Sequence, residues 1–435
     1  MTSLIAFFIL IIAMAIGIPI PLSFLISAAY ICLTGGYGTN MLFAFGFNRM
    51  NSILLLTIPL FVLAGAIIDR GGIGEKLIEG LQKICKDSKA ALGTVTIISC
   101  AVFGAVSGSA SATLSCIGSI MTPRLKENGY PDGLIGGILA SSGVLGIMIP
   151  PSILMILYAW STGASVLGCF LATIVPGVIL IILFSLVNAY LIKRMPQATL
   201  AGGLQKAAAI NLAAKEKSKG KSAIPAVLMP VLLLGSIYGG VLTTTEGAAF
   251  SVVYAVIVGV FYYHRIDMAT FKDAMVQAGR TAGVIMVMLF SVGILSRLYV
   301  TENLPTLILD TLLAISSNKY IVFLMINLFM VVIGMLMDDC SGTILCAPIL
   351  LPVVMAFDVS PIHFAAILSV NIGMGNITPP TAPLLYLAGR ISGAETKEML
   401  KPTFMLILFA WIPTLMLTTF IPKLSMFLPS LFGYV

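Results

Sequence analysis

Apolar residues run along this chain in long uninterrupted blocks. No charged side chain falls in 1–48, 90–123, 133–192, 222–245, 281–296, 320–337, 359–389 or 402–422. About 20 mostly apolar residues cross a bilayer as a helix. Several of these blocks therefore hold one span, and 133–192 holds two. Segment 72–89 is patterned differently. Ile73, Leu77, Leu81 and Ile84 recur at helical spacing and the charges take the other face, which predicts an amphipathic helix along a membrane surface. The pattern as a whole predicts an all-α polytopic membrane protein. At the N-terminus, residues 4–16 and 20–34 are split by "GIPIP" and read as two short passes or one kinked span, two being favoured because 224–263 is their counterpart.

Two apolar blocks carry residues that break helices. "SSGVLGIMIPP" (141–151) and "VNIGMGNITPP" (370–380) both run through Gly into a double proline. They are related by an offset of 229, the separation of Pro150 from Pro379. The same offset pairs Pro123 with Pro352, Gly146 with Gly375, and Leu60–Phe61 with Leu289–Phe290. The chain is an internal repeat.

Composition agrees with the blocks: 59% of residues are hydrophobic and only 9% are charged, against about 25% charged in a soluble domain. The net charge of +7 does not indicate nucleic-acid binding. Lys193, Arg194, Lys206, Lys215, Lys217, Lys219 and Lys221 sit with Glu216 in a single loop, 193–221. Such a loop marks the cytoplasmic side and reads as a linker between halves. Arg70–Lys89 is also basic, whereas its counterpart 302–319 holds Glu302, Asp310 and Lys319. Equivalent segments are thus expected on opposite sides, an inverted-topology repeat of the kind that builds many secondary transporters. The cysteines (32, 85, 100, 116, 169, 340 and 346) form no C-x-x-C pair, so neither a transition-metal site nor a disulfide framework is expected. The N-terminus lacks the basic region of a cleaved signal peptide.

Each break has a polar partner segment. "GAVSGSASATLSCIGS" (104–119) lies inside 90–123, which charges flank on both ends, so 90–124 is expected to be a re-entrant hairpin with its small polar tip at mid-depth. Segment 320–356 is built alike around "GMLMDDCSGT". A carboxylate at the bilayer centre costs about 2.5–3.5 kcal/mol on insertion scales, so Asp338 and Asp339 point to a wet cavity, a cation or a proton. Serine and glycine in membrane helices are often mere close packing, and a Pro–Pro pair is often a kink. The paired, repeated arrangement is what favours a site. A broken helix frees carbonyls that hold a cation such as Na⁺, and the hydroxyl, amide and carboxylate oxygens nearby suit Na⁺ better than a soft metal.

At these residues the chain resembles the large membrane subunit of TRAP (tripartite ATP-independent periplasmic) transporters, the DctM-like family. The matching motifs are "IPLFVLAG" (58–65), "SGSA" (107–110), "IPPSI" (149–153), "TEGA" (245–248), "GMLMD" (334–338), "PILLP" (348–352) and "ITPP" (377–380). The resemblance implies a Na⁺-driven, elevator-type importer of organic acids such as C4-dicarboxylates, sialic acid, sugar acids or keto acids. It also implies two partners, a small four-helix membrane subunit and a periplasmic substrate-binding protein, and a bacterial or archaeal inner membrane. Two re-entrant hairpins and two broken clamp helices would form the moving unit. Carried onto this sequence, a first Na⁺ clamp comprises Ser107, Gly108, Ser109, Ser142, Gly143, Gly146 and Pro150. A second comprises Asp338, Ser341, Gly342, Asn371, Gly373, Gly375 and Thr378. The substrate cavity takes Ser111, Thr113, Asp339, Thr343, Pro151, Pro380 and Thr381. No organic cofactor is implied. The chain departs from the family pattern at Thr113, where an acid is common, and at Ala66, where Glu is common. It departs again at Ala382 and Leu384, where "PPxGxNL" is common. Asp339 adds an acid.

The expected division is scaffold 1–70, arm 71–89, transport half 90–164 with broken helix 133–160, connecting span 165–192 and linker 193–222. The second half follows as scaffold 223–300, arm 301–319, transport half 320–392 (hairpin 320–356, broken helix 362–390) and C-terminal span 393–435. Enzyme readings find little support. Adjacent Asp residues are not the convergent pair of an aspartyl protease, and no serine nucleophile motif occurs. His264 and His363 lie near segment ends, with His363 expected to face the interface. A channel, and a self-sufficient Na⁺/anion carrier of similar fold, are the rivals. Substrate identity and Na⁺ stoichiometry are not encoded in any recognisable motif.

Overall fold

The computed structural model describes residues 2–82, 90–194 and 222–434. Most of the basic linker, with Lys206, Lys215, Lys217, Lys219 and Lys221, lies outside the described residues, as do Ile84 and Cys85 of the arm. Regular structure among the described residues is entirely helical. Among the described residues six helices are long and apolar enough to cross a membrane, and a pair bent by 46°, Asp132–Met148 with Ile153–Thr162, brings the number to seven when counted as one span.

The first half runs α1 (Thr2–Ala15), α2 (Ile20–Gly35), α3 (Thr39–Met50), α4 (Thr57–Arg70), α5 (Ile73–Gln82), α6 (Ala91–Ser107) and α7 (Ala110–Glu127). It continues through α8 (Asp132–Gly143), α9 (Leu145–Met148), α10 (Ile153–Thr162) and α11 (Val166–Lys193). The second half runs α12 (Ile224–Tyr238), α13 (Thr244–Tyr262), α14 (Met268–Thr301), α15 (Leu304–Ile315), α16 (Lys319–Leu336) and α17 (Asp339–Met355). It ends with α18 (Pro361–Gly375), α19 (Pro383–Ser392), α20 (Thr396–Phe420) and α21 (Pro422–Leu431). At the offset of 229 nearly every helix finds its counterpart. The clearest difference is that α3 and α4 are separated by a short 3-10 turn at Ile53–Leu56, where α14 is one continuous 34-residue helix. The "GIPIP" split does produce two helices, α1 and α2, packed on each other.

Helix ends follow from local chemistry. Ser165, Asp267 and Ser360 cap α11, α14 and α18 with their side chains. Gly163 and Gly393 end α10 and α19 in left-handed geometry. The "TEGA" motif is a helix start. Glu246 accepts from Thr243 N–H and from the Thr243 hydroxyl, both at 2.8 Å, while Thr243 Oγ1 accepts from Glu246 N–H at 3.3 Å, a reciprocal capping box. Thr245 in turn meets buried Thr57 of α4 at 2.8 Å.

Two groups of helices result. In one, α4 packs on α13 and α14, α2 on α14 and α1, and α12 on α13. In the other, the two halves interlock: α10 lies against α17, α19 against α7 and α8, and α18 against α9. Tyr158 of α10 donates to the Pro361 carbonyl of α18 at 2.6 Å. Large side chains such as Leu33, Phe47 and Phe261 remain exposed on the outside, as lipid contact requires.

Candidate functional site

The helix pairs α6–α7 and α16–α17 each turn through two residues, and both turns follow from residue type. Gly108 takes φ +62° at the end of α6, a conformation open to Gly. Ser109 then caps α7, accepting from Ala112 N–H at 3.4 Å. In the second pair Met337 and Asp338 make the turn, and Asp338 caps α17 by accepting from Cys340 N–H at 3.2 Å. Ser109 and Asp338 are equivalent under the repeat.

Each turn is seated on a break. The helix stops at Met148 and restarts at Ile153, with Ser152 bridging the gap. The Ser152 hydroxyl donates to the Ile147 carbonyl at 2.6 Å and accepts from Met155 N–H at 3.4 Å. Ile153 N–H donates to the Gly108 carbonyl at 3.1 Å, so the turn itself satisfies the restarted helix. A methyl on Gly104 would stand 2.5 Å from Gly146 Cα, and one on Gly146 would stand 2.6 Å from the Ser109 carbonyl oxygen. The second half repeats the contact, since a methyl on Gly375 would stand 2.5 Å from Gly334 Cα. Both double prolines, Pro150–Pro151 and Pro379–Pro380, have cis bonds.

The turns also touch the other helix group. Gly65 of α4, in the "IPLFVLAG" motif, faces Ser107, with its missing methyl position 3.4 Å from Ser107 Cβ. Met288 of α14 meets Ser341, Sδ to Oγ, at 2.7 Å.

The residues expected in the first clamp divide into two sets. Ser107, Gly108, Ser109, Gly146 and the buried Pro150 lie at the turn-and-break contact, joined by Thr113, whose hydroxyl is 3.0 Å from that of Ser107. Buried Pro151 belongs there too, because its carbonyl would stand 2.9 Å from a methyl on Gly108. Ser111 is exposed, 3.2 Å from Ser109 Oγ to Oγ. Ser142 turns away and donates to Ile138 O of its own helix at 2.6 Å. Gly143 packs against the Leu114 side chain. The neighbouring Ser141 is buried with its hydroxyl unpartnered.

The second clamp divides similarly. Asp338 accepts from the Ser341 hydroxyl, and Asp339 accepts from Cys340 N–H at 3.1 Å. Gly375 abuts the end of α16, and Thr343 is buried with Oγ1 unpartnered. Thr378 donates to Met374 O at 2.7 Å, while Pro380 and Thr381 are exposed on the break. Asn371 sits lower, donating to Asn327 Oδ1 at 3.0 Å, and Asn327 donates to Thr419 at 3.0 Å. Asn327 is about 15 Å of helix from the turn at Met337. The three residues form a polar contact between α16, α18 and α20. Gly342 packs on Ile372 and Gly373 on Val144 and Trp411. The carbonyls of Met374, Gly375 and Asn376 are already engaged by Ile377 or Thr378, by Thr378, and by Leu384.

Two expectations change. His363 does not face the interface: it is 3% exposed, with Nε2 at 2.8 Å from the Thr418 carbonyl, because α18 packs against the end of α20 there. Asn376, which no motif singled out, ends α18 at the break, 2% exposed, with Oδ1 unpartnered. Its signal was an amide immediately before "ITPP".

The family model described as "Tripartite ATP-independent periplasmic transporter, DctM component" matches residues 6–424. The chain belongs to this family. A DctM-family relative in Pseudomonas aeruginosa, the C4-dicarboxylate TRAP transporter large permease protein DctM, is 30% identical over 394 residues, covering 89% of this chain and 88% of that one. The isethionate TRAP transporter permease protein DctMQ of Oleidesulfovibrio alaskensis is 30% identical over 415 residues, 95% of this chain. This chain spans only 64% of the length of that relative. Among solved structures, the YdaH transporter of Alcanivorax borkumensis matches with TM-score 0.58 over 88% of this chain and 89% of that chain, at 15% identity. That likeness is one of fold. The DctM-family motifs "IPLFVLAG" and "SGSA" thus meet at Gly65 and Ser107, while "TEGA" caps a helix.

Proposed function

We propose that this DctM-family protein is the large permease subunit of a Na⁺-coupled, binding-protein-dependent importer of small organic acid anions in a bacterial or archaeal inner membrane. What carries the reading is the duplicated seating of a polar turn on a broken helix. Such breaks are tolerated in a membrane only where protein or water covers them. Ser107, Ser109 and Thr113 supply oxygens on one side, and Asp338, Ser341 and Thr378 on the other. Na⁺ bound at each contact would hold turn and break together, and cargo would sit between the two. The helices α6–α10 and α16–α19 then cross as a body, elevator fashion, against α1–α4 and α12–α14. A unit charge moving inward gains about 2.3 kcal/mol per 100 mV. No covalent chemistry is involved, so the chain is not an enzyme.

Its partners in this reading are a small four-helix membrane subunit and a periplasmic binding protein. The length by which the isethionate relative exceeds this chain is where a fused small subunit would lie. The test is counter-gradient uptake into proteoliposomes. Uptake is expected to need an inward Na⁺ gradient and to stop when the binding protein is withheld. Uptake that persists without the binding protein favours a self-sufficient carrier, and downhill flux alone favours a channel.

A further inference from the structure

A contact between the two helix groups must break when one group moves against the other. Arg49 makes such a contact. It lies near the end of α3, in the group that stays, and reaches the end of α10, in the group that moves. Its Nη2 donates to the Ser161 carbonyl at 2.9 Å. Its guanidinium carbon lies 4.9 Å from the centre of the Trp160 ring and 5.9 Å from that of Phe45, on its own helix. The last carbonyls of a helix have no partner within it. In α10 the Ala159 carbonyl accepts from the N–H of Gly163, the left-handed residue that ends the helix, at 2.8 Å. The Ser161 carbonyl accepts from Arg49. A cation at that place also suits the negative end of the helix dipole. A side chain of the staying group thus caps a helix of the moving group. Among the described residues no carboxylate pairs with Arg49, so none competes with this contact.

The contact has a side. α10 ends at Thr162 and α11 begins at Val166. α11 has 28 residues, about 42 Å of helix, and runs into the basic linker that marks the cytoplasm. The end of α10 is therefore at the outer face. α10 also packs on α4 and on the turn at Ile53–Leu56. Under the offset of 229, α10 corresponds to α19, and α3 to the start of α14. α19 packs on α7, α8 and α20, and among the described residues has no comparable seat on α13 or α14. One half is docked on the staying group where the other is not. Arg49, Trp160 and Ser161 correspond to Ala278, Gly389 and Arg390. Alanine supplies no guanidinium and glycine no ring, so the second half cannot repeat the contact.

We infer that Arg49 is a latch on the outer side, which holds the moving group in the state seen here, and that the opposite state has no equivalent. The two end states are then unequal before any ion or cargo binds. Each crossing breaks a charge-assisted hydrogen bond and a ring contact, and each return restores them. Ligands taken up from outside must shift an equilibrium that Arg49 holds against them. The inference rests on the elevator reading above.

The test measures distances between spin labels on the full chain in proteoliposomes, with its seven cysteines replaced by alanine. One label is at Val300 of α14 and the other at Met355 of α17, both exposed, so the pair spans the two groups. A second pair, exposed Leu33 of α2 with Val300, lies within one group and is expected to give one distance in every variant. With Arg49 in place the spanning pair is expected to give a dominant distance and a minor one. Arg49→Ala is expected to raise the ratio of minor to dominant about 10- to 30-fold, the loss of a charge-assisted hydrogen bond with a ring contact. Trp160→Ala is expected to raise it about threefold. Arg49→Lys is expected to behave nearly as alanine, because lysine lacks the planar fork. A ratio in Arg49→Ala within about twofold of the parent's overturns the latch, as does a shift toward the dominant distance. Should Arg49→Ala fail to fold, seen as a changed Leu33–Val300 distance, an unmoved ratio in Trp160→Ala overturns it instead. Two distances that respond to Na⁺ but ignore Arg49 sink the latch alone. A single distance for the spanning pair in every variant, with and without Na⁺, sinks the elevator reading and the latch with it.

Discussion

Adding one methyl at Gly146 tests whether the turn must seat on the break. The new Cβ would stand 2.6 Å from the Ser109 carbonyl oxygen, whereas ordinary contact begins at 3.4 Å. The turn or the break must therefore yield by about 0.8 Å, the difference of those two distances. Thr113 Oγ1 stands nearer still, at 2.4 Å, and can rotate, but the Ser109 carbonyl is backbone and cannot. Overpacking of this kind costs about 1–3 kcal/mol, which is about 5- to 150-fold if it falls on the bound state. The expected result for Gly146→Ala is Na⁺-driven uptake reduced within that range, with a higher Na⁺ concentration for half-maximal rate. Gly279→Ala and Gly283→Ala are the controls. Both glycines lie in α14 with nothing within 4 Å of the added methyl, and alanine there favours the helix by about 1 kcal/mol. They are expected to transport like wild type and to melt no earlier. Wild-type rate, Na⁺ dependence and melting temperature in Gly146→Ala would refute the seating argument.

Ala382 starts α19 at φ +33°, which costs an L-residue about 1–2 kcal/mol, so Ala382→Gly is expected to raise the melting temperature of the solubilised protein. Glu246→Ala removes half of the α13 capping box and is expected to cost about 1 kcal/mol, read as a lower melting temperature with uptake per folded molecule unchanged. Arg49 donates to Ser161 O at 2.9 Å and lies over the Trp160 ring at 4.9 Å. Arg49→Ala is expected to destabilise by about 2 kcal/mol in the same thermal assay, and lysine, lacking the planar fork, to restore little of it.

Features that lipid punishes were the legible ones. A charge or a helix break inside an apolar run is costly enough to stand out, and the paired prolines and small-residue turns sit where those signals placed them. Rotamers and cross-helix partners carry no such penalty. Ser141 and Ser142 are adjacent and chemically alike, yet one hydroxyl bonds back to its own helix and the other does not. Asn371 sits in the same apolar run as the break, but its amide N–H donates to Asn327, a residue of another helix, and leaves its Oδ1 unpartnered. His363 looked interfacial because a polar ring near a segment end usually is. Its cap and its bond to Thr418 depend on where α18 and α20 cross. The membrane-facing pattern of α3, α4 and α14 likewise hid that one half is interrupted where the other is continuous.

The repeat itself shows where specificity had room to diverge. Gly146 and Gly375 are equivalent under the offset, whereas the glycines they meet, Gly104 and Gly334, lie one residue out of register, and the side chains around the two contacts differ in charge. Each break thus keeps a close glycine approach although the partner position has shifted by one residue. Ala110 and Asp339 occupy equivalent first positions of α7 and α17, where either residue starts a helix without clash. A position free to change on packing grounds is free to be set by cargo. Exchanging the pair, with Ala110→Asp and Asp339→Ala in one chain, should then leave the fold and the Na⁺ requirement in place while changing the order in which different acids are carried. A double variant that folds and still needs Na⁺, yet keeps the wild-type cargo preference, would show that these first positions do not read the cargo.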